Sequence, residues 1–380
     1  MLWGVFLEVI RMQDEFMREA IELAKKGMGF VSPNPMVGAV IVRDGEIIGR
    51  GYHKKYGDLH AERAAFADCD SNGIDCNGAD IYVTLEPCCH QGKQPPCTEA
   101  IIEHGIKRVF IGSSDPNPLV AGKGVRILRE NGIDVVEGVL KDECDSLNEI
   151  FFKFITKHLP FVTMKYAMSM DGKIACKTGE SKWVTGEAAR QNVQVERLKH
   201  SAIMVGVGTV LKDDPMLTCR FENGRNPIRI VCDSNLRTPL TCNLVCTART
   251  VPTIIATLES DVAITQPYID KGCTILTFRD KNGRPDLRQL MKTLSSLNID
   301  SVLLEGGGEL NWSALEAGIV DKVQTYISPK IFGGVGAKSP VAGLGVDKPD
   351  NGFMLEIVSV KYIGEDILIE SRVKNVHGNN

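Results

Sequence analysis

The residues best equipped for chemistry lie between His60 and Cys97. His60-Ala61-Glu62 is followed by Pro87-Cys88 and then by Cys97. One imidazole and two thiolates suit Zn2+, and three protein ligands leave the fourth tetrahedral position open to water, as a catalytic zinc requires. A zinc ion lowers the pKa of such a water toward about 7. Glu62, close to His60 but not itself a ligand, is placed to move a proton. The expected metal set is therefore His60, Cys88 and Cys97, with Glu62 as the catalytic proton shuttle. Both cysteines are expected just ahead of helix starts, where the positive helix end and the metal favour the thiolate. Cys89 and His90 are rival ligands. Cys97 ranks above them because the neighbours Cys88 and Cys89 cannot easily both point at one ion, and Pro95-Pro96 presents Cys97 rigidly ahead of a helix. Eight residues separate Cys88 from Cys97, so a structural zinc knot stands as the alternative.

The elements that must position these residues are legible in the hydrophobic pattern. Phe16, Met17, Ala20, Ile21, Leu23 and Ala24 recur at helical spacing and stop at Gly27 and Gly29, which predicts an amphipathic helix from Met12 onward, with the first eleven residues incidental. Apolar runs at 38–42 and 46–52 are joined by Asp44-Gly45, the signature of a tight hairpin. Runs at 79–85, 107–112 and 133–139 alternate with helical stretches starting near Ala61, Thr98 and Gly122. That alternation predicts a layered α/β domain over residues 12–157. From Pro160 the pattern restarts. Strands are expected at 161–167, 203–207, 228–232, 253–256, 301–304 and 322–327, with helices at 186–199, 286–297 and 310–317 between them. A second α/β domain, residues 160–374, follows, and a frayed tail begins near Asn375.

Composition narrows the functional classes. The chain has 380 residues, 43% of them hydrophobic, enough for two cores. Lys and Arg number 44 against 48 Asp and Glu, a net charge of −4, with no basic stripe to attract a nucleic-acid backbone. The opening stretch makes a poor signal peptide, and no run reaches the ~20 apolar residues of a membrane span. Twelve cysteines in a long chain without a secretion signal read as reduced core residues and metal ligands in the cytoplasm.

The H-x-E element followed by Pro-Cys and a further Cys resembles the signature of zinc deaminases of nucleobases. The longer loop Pro87-Cys-Cys-His-Gln-Gly-Lys-Gln-Pro-Pro-Cys97, with Ser32-Pro-Asn-Pro-Met-Val-Gly38, is similar to the deaminase domain of the bifunctional riboflavin-biosynthesis deaminase/reductase family. In the second half, Lys165-Tyr-Ala-Met-Ser-Met-Asp-Gly-Lys173, the stretch from Val205 to Thr218 and Glu305-Gly-Gly-Gly308 resemble the reductase domain of the same family. No G-x-G-x-x-G fingerprint follows the first strand of this half.

The resemblance implies a cytidine-deaminase-like three-layer α/β domain followed by a dihydrofolate-reductase-like α/β domain. It implies zinc at the first site and NADPH at the second, and a small phosphorylated pyrimidine as substrate. A ribosylaminopyrimidine phosphate would be deaminated and its ribosyl group then reduced to ribityl. In the first domain Asn34, His53 and Lys93 match substrate-contacting positions. In the second, Ser181, Arg197, Leu217, Arg220 and Glu305 match substrate positions, and two arginines could pair with the 5′-phosphate. Ala167, Trp183, Thr209, Asp213, Ser234, Gly307, Gly308, Glu309, Leu310, Asn311, Trp312 and Ser313 match cofactor positions, the last seven leading into a helix whose free N–H groups suit a pyrophosphate. Lys165 is a further catalytic candidate. A homo-oligomer is expected, with neither nucleic acid nor membrane as partner. Two other readings stand beside this one: a single-activity deaminase of nucleotides or transfer RNA with an accessory second domain, which would leave NADPH untouched, and a non-catalytic zinc-stabilised module.

Overall fold

A computed structural model describes residues 2–279 and 283–374, with side chains from residue 12 onward. The expected tail from Asn375 lies outside the described residues. The chain divides into two units, residues 1–158 and 159–380.

In the first unit the elements run α1 (Leu2–Lys25), β1 (Gly38–Arg43), β2 (Glu46–Tyr52), α2 (Ala61–Ser71), β3 (Asp80–Leu85), α3 (Cys97–Glu103), β4 (Arg108–Ser113), α4 (Lys123–Glu130), β5 (Asp134–Glu137), α5 (Lys141–Leu147) and α6 (Glu149–Lys157). The sheet order is β2-β1-β3-β4-β5, with β1 antiparallel to both neighbours and β3, β4 and β5 mutually parallel. The hairpin turn places Asp44 at φ 51° and Gly45 at φ 81°, the left-handed pair that a two-residue hairpin demands. One face of the sheet packs Met17, Ala20 and Ala24 of α1 with Val40, Tyr82, Phe110 and Cys144, and the other packs Ala65 and Phe66 of α2, Ile101 of α3 and Leu128 of α4 against Ile41, Val83 and Ile111. Strand residues alternate between the two cores because successive side chains point to opposite faces. Two glycines let the helices approach this closely. A Cβ on Gly38 would lie 1.9 Å from the Ala20 carbonyl oxygen, and one on Gly51 would lie 2.2 Å from that of Ala61. Gly51 thereby sets where α2 begins, and with it His60 and Glu62.

Helix α1 starts at Leu2, ahead of the expected Met12. The stretch before Met12 contains no proline, so nothing in it stops helical hydrogen bonding from propagating.

The second unit contains β6 (Phe161–Ser169), α7 (Glu187–Lys199), β7 (Ala202–Gly206), α8 (Val207–Asp213), β8 (Ile228–Cys232), α9 (Asn243–Cys246), β9 (Thr253–Thr257), α10 (Val262–Asp270), β10 (Thr274–Thr277), α11 (Leu287–Ser296), β11 (Ser301–Leu304), α12 (Gly308–Glu316), β12 (Lys322–Ser328), β13 (Leu355–Ile363) and β14 (Asp366–Val373). Its sheet runs β10-β9-β8-β7-β11-β6-β12-β14-β13, parallel through β12 and antiparallel at β14 and β13. Period-two alternation again sorts the strands. Ala202 and Met204 join α11 and α12 on one face, while Ile203 and Val205 join α8, α9 and α10 on the other. The hairpin β13–β14, which the sequence pattern did not single out, ends in an edge strand whose Ile357, Val360 and Tyr362 are 63%, 58% and 80% exposed.

Candidate functional site

The first site gathers at the carboxyl end of β3 and the starts of α2 and α3. His60 is the residue immediately before α2 and Cys97 the first residue of α3. Cys88 sits in the coil after β3, not ahead of a helix as expected, but it faces one: the Cys97 amide donates to its Sγ at 3.4 Å. Arg63 of α2 donates to the carbonyls of Pro95 and Pro96 at 3.1 and 2.8 Å, fixing the lead-in to α3 against α2. His60 Nδ1 lies 3.4 Å from both Cys88 Sγ and Cys97 Sγ, and the three ligand atoms all fall within 4.8 Å of one another. Tetrahedral zinc, with bonds of ~2.3 Å to sulfur and ~2.0 Å to nitrogen, separates its ligand atoms by ~3.5–3.8 Å. The donor set and its spacing fit the ion. Among the described residues this is the one such cluster, and it excludes Cys89 and His90. Cys89 turns toward the Leu119 carbonyl at 3.8 Å.

Electrostatics agree with that reading. The Cys97 thiol, with help from His60 and the Cys97 amide, holds Cys88 down at about 4. Cys97 itself is pushed up, chiefly by Cys88. Cys88 is thereby biased toward the thiolate, the form that ligates. Glu62 is 3% exposed and burial raises its carboxyl pKa, as suits a group that must pick up and release a proton near neutrality.

His60, Glu62 and Cys88 line a cavity of about 220 Å3 together with Asn34, His53 and Lys93. His53 Nδ1 meets the Leu59 carbonyl at 2.9 Å and its Nε2 meets the Asn34 amide nitrogen at 3.2 Å. Burial lowers the His53 pKa, so the ring is neutral, donating through Nδ1 and accepting from Asn34. Lys93 is exposed, its ammonium 3.8 Å from the centre of the Tyr56 ring.

The sequence reading missed the opposite wall. Asp115, Asn117 and Val120, and also His90 and Glu86, line the same cavity. His90 Nδ1 is buried without a hydrogen-bond partner. Glu86, 4% exposed, accepts backbone N–H groups from Gly122 at 3.0 Å and Asp115 at 3.4 Å on one oxygen, and from Gly124 at 3.1 Å and Val125 at 3.3 Å on the other. One carboxylate thus ties the wall and the start of α4 to the strand end that carries Cys88. Nothing in Leu85-Glu86-Pro87 distinguishes this residue from a surface acid.

The second site is a cavity of about 1110 Å3 at the carboxyl ends of β6, β11, β7 and β8. It is lined by Lys165, Ala167, Ser181, Trp183, Arg197, Thr209, Asp213, Arg220, Ser234, Glu305, Gly307, Gly308, Glu309, Leu310, Asn311 and Ser313. Two expected residues lie elsewhere. Leu217 is buried in the core with Val207 and Val231, its backbone at φ 51°. Trp312 packs edge-on against Phe353, ring centres 5.8 Å apart, because on α12 it faces away from the cavity side that carries its neighbours.

The cavity centres on an ion-pair network. Arg197 Nε and Nη2 donate to the two oxygens of Glu305 at 2.9 and 3.0 Å, and Nη1 donates to the Thr218 carbonyl at 3.1 Å. Arg197 is therefore already engaged by protein groups, and Arg220, whose side chain is exposed, is the freer of the two arginines expected to meet a phosphate. Burial would push Glu305 up, but Arg197 and Lys165 overcome it and hold the carboxyl at about 2. Burial lowers the Lys165 pKa despite Glu305. The Arg190 guanidinium lies 4.6 Å from the Trp183 ring centre, and Lys330 Nζ donates to the carbonyls of Trp183 and Val184, both at 2.9 Å. Asp171 accepts the N–H groups of Phe332 and Gly333 at 3.0 and 2.8 Å, so the first residues after β12, Lys330 to Gly333, are strapped down.

Comparison with known proteins gives a family for each half of the chain. The family described as cytidine and deoxycytidylate deaminase zinc-binding region matches residues 10–113, and the RibD C-terminal domain family matches residues 160–369. The riboflavin biosynthesis protein RibD of Actinobacillus pleuropneumoniae is 54% identical over 94% of each chain. The chain belongs to the RibD family. The Escherichia coli K12 member is 38% identical over 94% of this chain and 99% of its own. A crystal structure from Thermotoga maritima, of a diaminohydroxyphosphoribosylaminopyrimidine deaminase/5-amino-6-(5-phosphoribosylamino)uracil reductase, superposes with a TM-score of 0.86 at 41% identity, covering 96% of this chain and 99% of that one. The first unit has the cytidine-deaminase-like fold and the second the dihydrofolate-reductase-like fold of the family, and the chain is a bifunctional deaminase and reductase. Among the described residues no helix is long and apolar enough to cross a membrane.

Proposed function

We propose that this enzyme converts 2,5-diamino-6-ribosylamino-4(3H)-pyrimidinone 5′-phosphate to 5-amino-6-(5-phosphoribosylamino)uracil with release of ammonia, and then reduces the ribosyl group to ribityl with NADPH. The functional domains are residues 12–157 and 160–374. The observation that carries the reading is the His60–Cys88–Cys97 triangle with the buried Glu62 at the edge of one cavity.

Zinc held by those three residues supplies the Lewis acidity that makes a nucleophile of water at neutral pH. Glu62 takes the proton from the attacking water and delivers it to the departing amine, so ammonia leaves as the ring carbon gains a carbonyl. Asn34, whose amide nitrogen is fixed by His53, presents its carbonyl oxygen and remaining N–H to the ring edge, and Lys93 holds the phosphate as a point charge.

For the reductase half, three observations favour a dinucleotide. A Cβ on Gly208 or Gly307 would meet nothing within 4 Å, so the cavity floor is open there. Helix α12 starts at Gly308 with no side-chain cap, and Gly307 and Gly308 line that space, while among the described residues Asn311 Oδ1 is buried without a partner. NADPH supplies the hydride. Lys165 protonates the sugar oxygen as the carbon is reduced, its acidity increased by burial, while Glu305, clamped by Arg197, orients the ring and Ser181 and Arg220 hold the phosphate side. Twelve free cysteines suit a cytoplasmic enzyme. The exposed apolar edge of β13 suits a homo-oligomer, which sedimentation of the wild type against Ile357→Glu tests.

The test of the whole scheme is one reaction with zinc-loaded protein, the diaminopyrimidinone substrate and NADPH. Ammonia release followed by loss of NADPH absorbance is expected. Ammonia alone removes the second half of the scheme, and neither signal removes both.

A further inference from the structure

The parallel strands around the second cavity lie in the order β6-β11-β7-β8. Lys165 is on β6, and Glu305 follows β11 directly. The glycine turn at Gly307 follows β11, and Thr209 lies on the helix that follows β7. Neighbouring strands are ~4.8 Å apart, so three steps from β6 to β8 span ~14 Å. A dinucleotide with its reactive ring at Lys165 and its bridging phosphates on the glycine turn therefore lays its adenosine ribose at the end of β8.

What stands there is a turn built to present one arginine. Asp233, fully buried, accepts from the amide and the hydroxyl of Thr238 at 2.7 and 2.8 Å through one oxygen. Tyr268 donates its hydroxyl to the carbonyls of Leu236 and Thr238 at 3.1 and 2.7 Å. Leu236 is held at φ 47° with its side chain in the core. Between these anchored residues Arg237 is exposed and lines the cavity beside Ser234, and among the described residues its side chain has neither a hydrogen bond nor an ion pair. The other cations of the cavity are accounted for differently. Arg284 pairs with Glu309 and Lys212 donates to the Gly179 carbonyl, while the exposed Arg220 and Lys338 are anchored through their backbones to Gln194 of α7 and to Ile174 rather than on the turn after β8. In dinucleotide sites an acid at the ribose selects the 2′-hydroxyl, whereas an arginine accommodates a 2′-phosphate. Here the acid, Asp233, is turned inward and the arginine outward.

Resting on the reading of the cavity as a dinucleotide site, we propose that Arg237, with Ser234 beside it, selects NADPH over NADH by pairing with the phosphate on the adenosine ribose. The phosphate meets a guanidinium fork whose supporting turn is already rigid, so little ordering opposes the contact.

The test measures dissociation constants of NADPH and NADH on the zinc-loaded full chain without pyrimidine, by calorimetry, for wild type, Arg237→Ala and Arg237→Lys. Displacement by 2′,5′-ADP and by 5′-AMP is followed alongside. Wild type is expected to favour NADPH. Arg237→Ala is expected to weaken NADPH and 2′,5′-ADP at least about tenfold, the size of a lost charge-assisted contact, while NADH and 5′-AMP stay within about twofold. Arg237→Lys recovers part of the loss. An alanine variant that keeps the wild-type preference overturns the role of Arg237 and leaves the dinucleotide reading standing. A wild type that binds neither nucleotide overturns that reading itself. Equal weakening of NADPH and NADH, with ammonia release intact, assigns Arg237 to the shape of the cavity and overturns selectivity.

Discussion

Replacing Glu86 by Gln tests whether one buried carboxylate holds the deaminase cavity together. The substitution keeps the shape of the side chain but turns one acceptor oxygen into a donor, which then faces two backbone N–H groups. Either the Gly122 and Asp115 pair or the Gly124 and Val125 pair loses its acceptor. Each buried N–H left unsatisfied costs about 1–3 kcal/mol, so the change costs about 2–6 kcal/mol. For a unit of this size the lower bound corresponds to a fall of about 4–8 °C in the first thermal transition. Because the freed segment carries Asp115, Asn117 and Val120, KM for the aminopyrimidine should rise by more than kcat falls. The assay is calorimetric melting of the zinc-loaded chain, followed by steady-state ammonia release, with NADPH binding as the control on the second unit. A first transition within about 1 °C of wild type, together with an unchanged KM, would refute the reasoning.

Glu62→Gln should lower ammonia release by about 10²–10⁴-fold, with zinc still bound at wild-type stoichiometry by atomic absorption and NADPH binding untouched. Gly51→Ala places a Cβ 2.2 Å from the Ala61 carbonyl. Moving the start of α2 should cost about 1–3 kcal/mol, and zinc should be stripped at a lower chelator concentration than from wild type. Glu305 contributes stability with a definite sign. Its carboxyl is held at about 2 rather than 4.5, so the contribution is full above about pH 4.5 and is lost as pH falls toward 2, about 3 kcal/mol in all. Urea unfolding at pH 5 and pH 3 should show roughly half of that loss in wild type, because pH 3 is still above the folded pKa, and the pH dependence should flatten in Glu305→Gln.

The sheet-and-helix order of both units was readable wherever strands alternate or run apolar between turn residues, as at 38–52 and 228–232. The metal triangle was readable because imidazole and thiol are rare donors whose order in the chain limits their use. Glu86 was not, since a lone acid between a strand and a proline owes its meaning to amides up to 39 residues away. The hairpin β13–β14 escaped notice for a different reason. Its outer strand is apolar on exposed positions, so burial and hydrophobicity part company there. Trp312 shows the limit of carrying over a whole segment: on a helix a neighbour in sequence points a third of a turn away, and this one packs on Phe353.

The strap from Lys330 to Gly333, stapled to the Trp183 and Val184 carbonyls and to Asp171, has a kinetic consequence. Trp183 and Val184 line the second cavity, so the strap holds part of its wall in place and little rearrangement is asked of an arriving molecule. Encounter then sets the pace of loading, and the cation-rich rim makes that pace slower at high ionic strength, because screening shortens the distance over which a phosphate is drawn in.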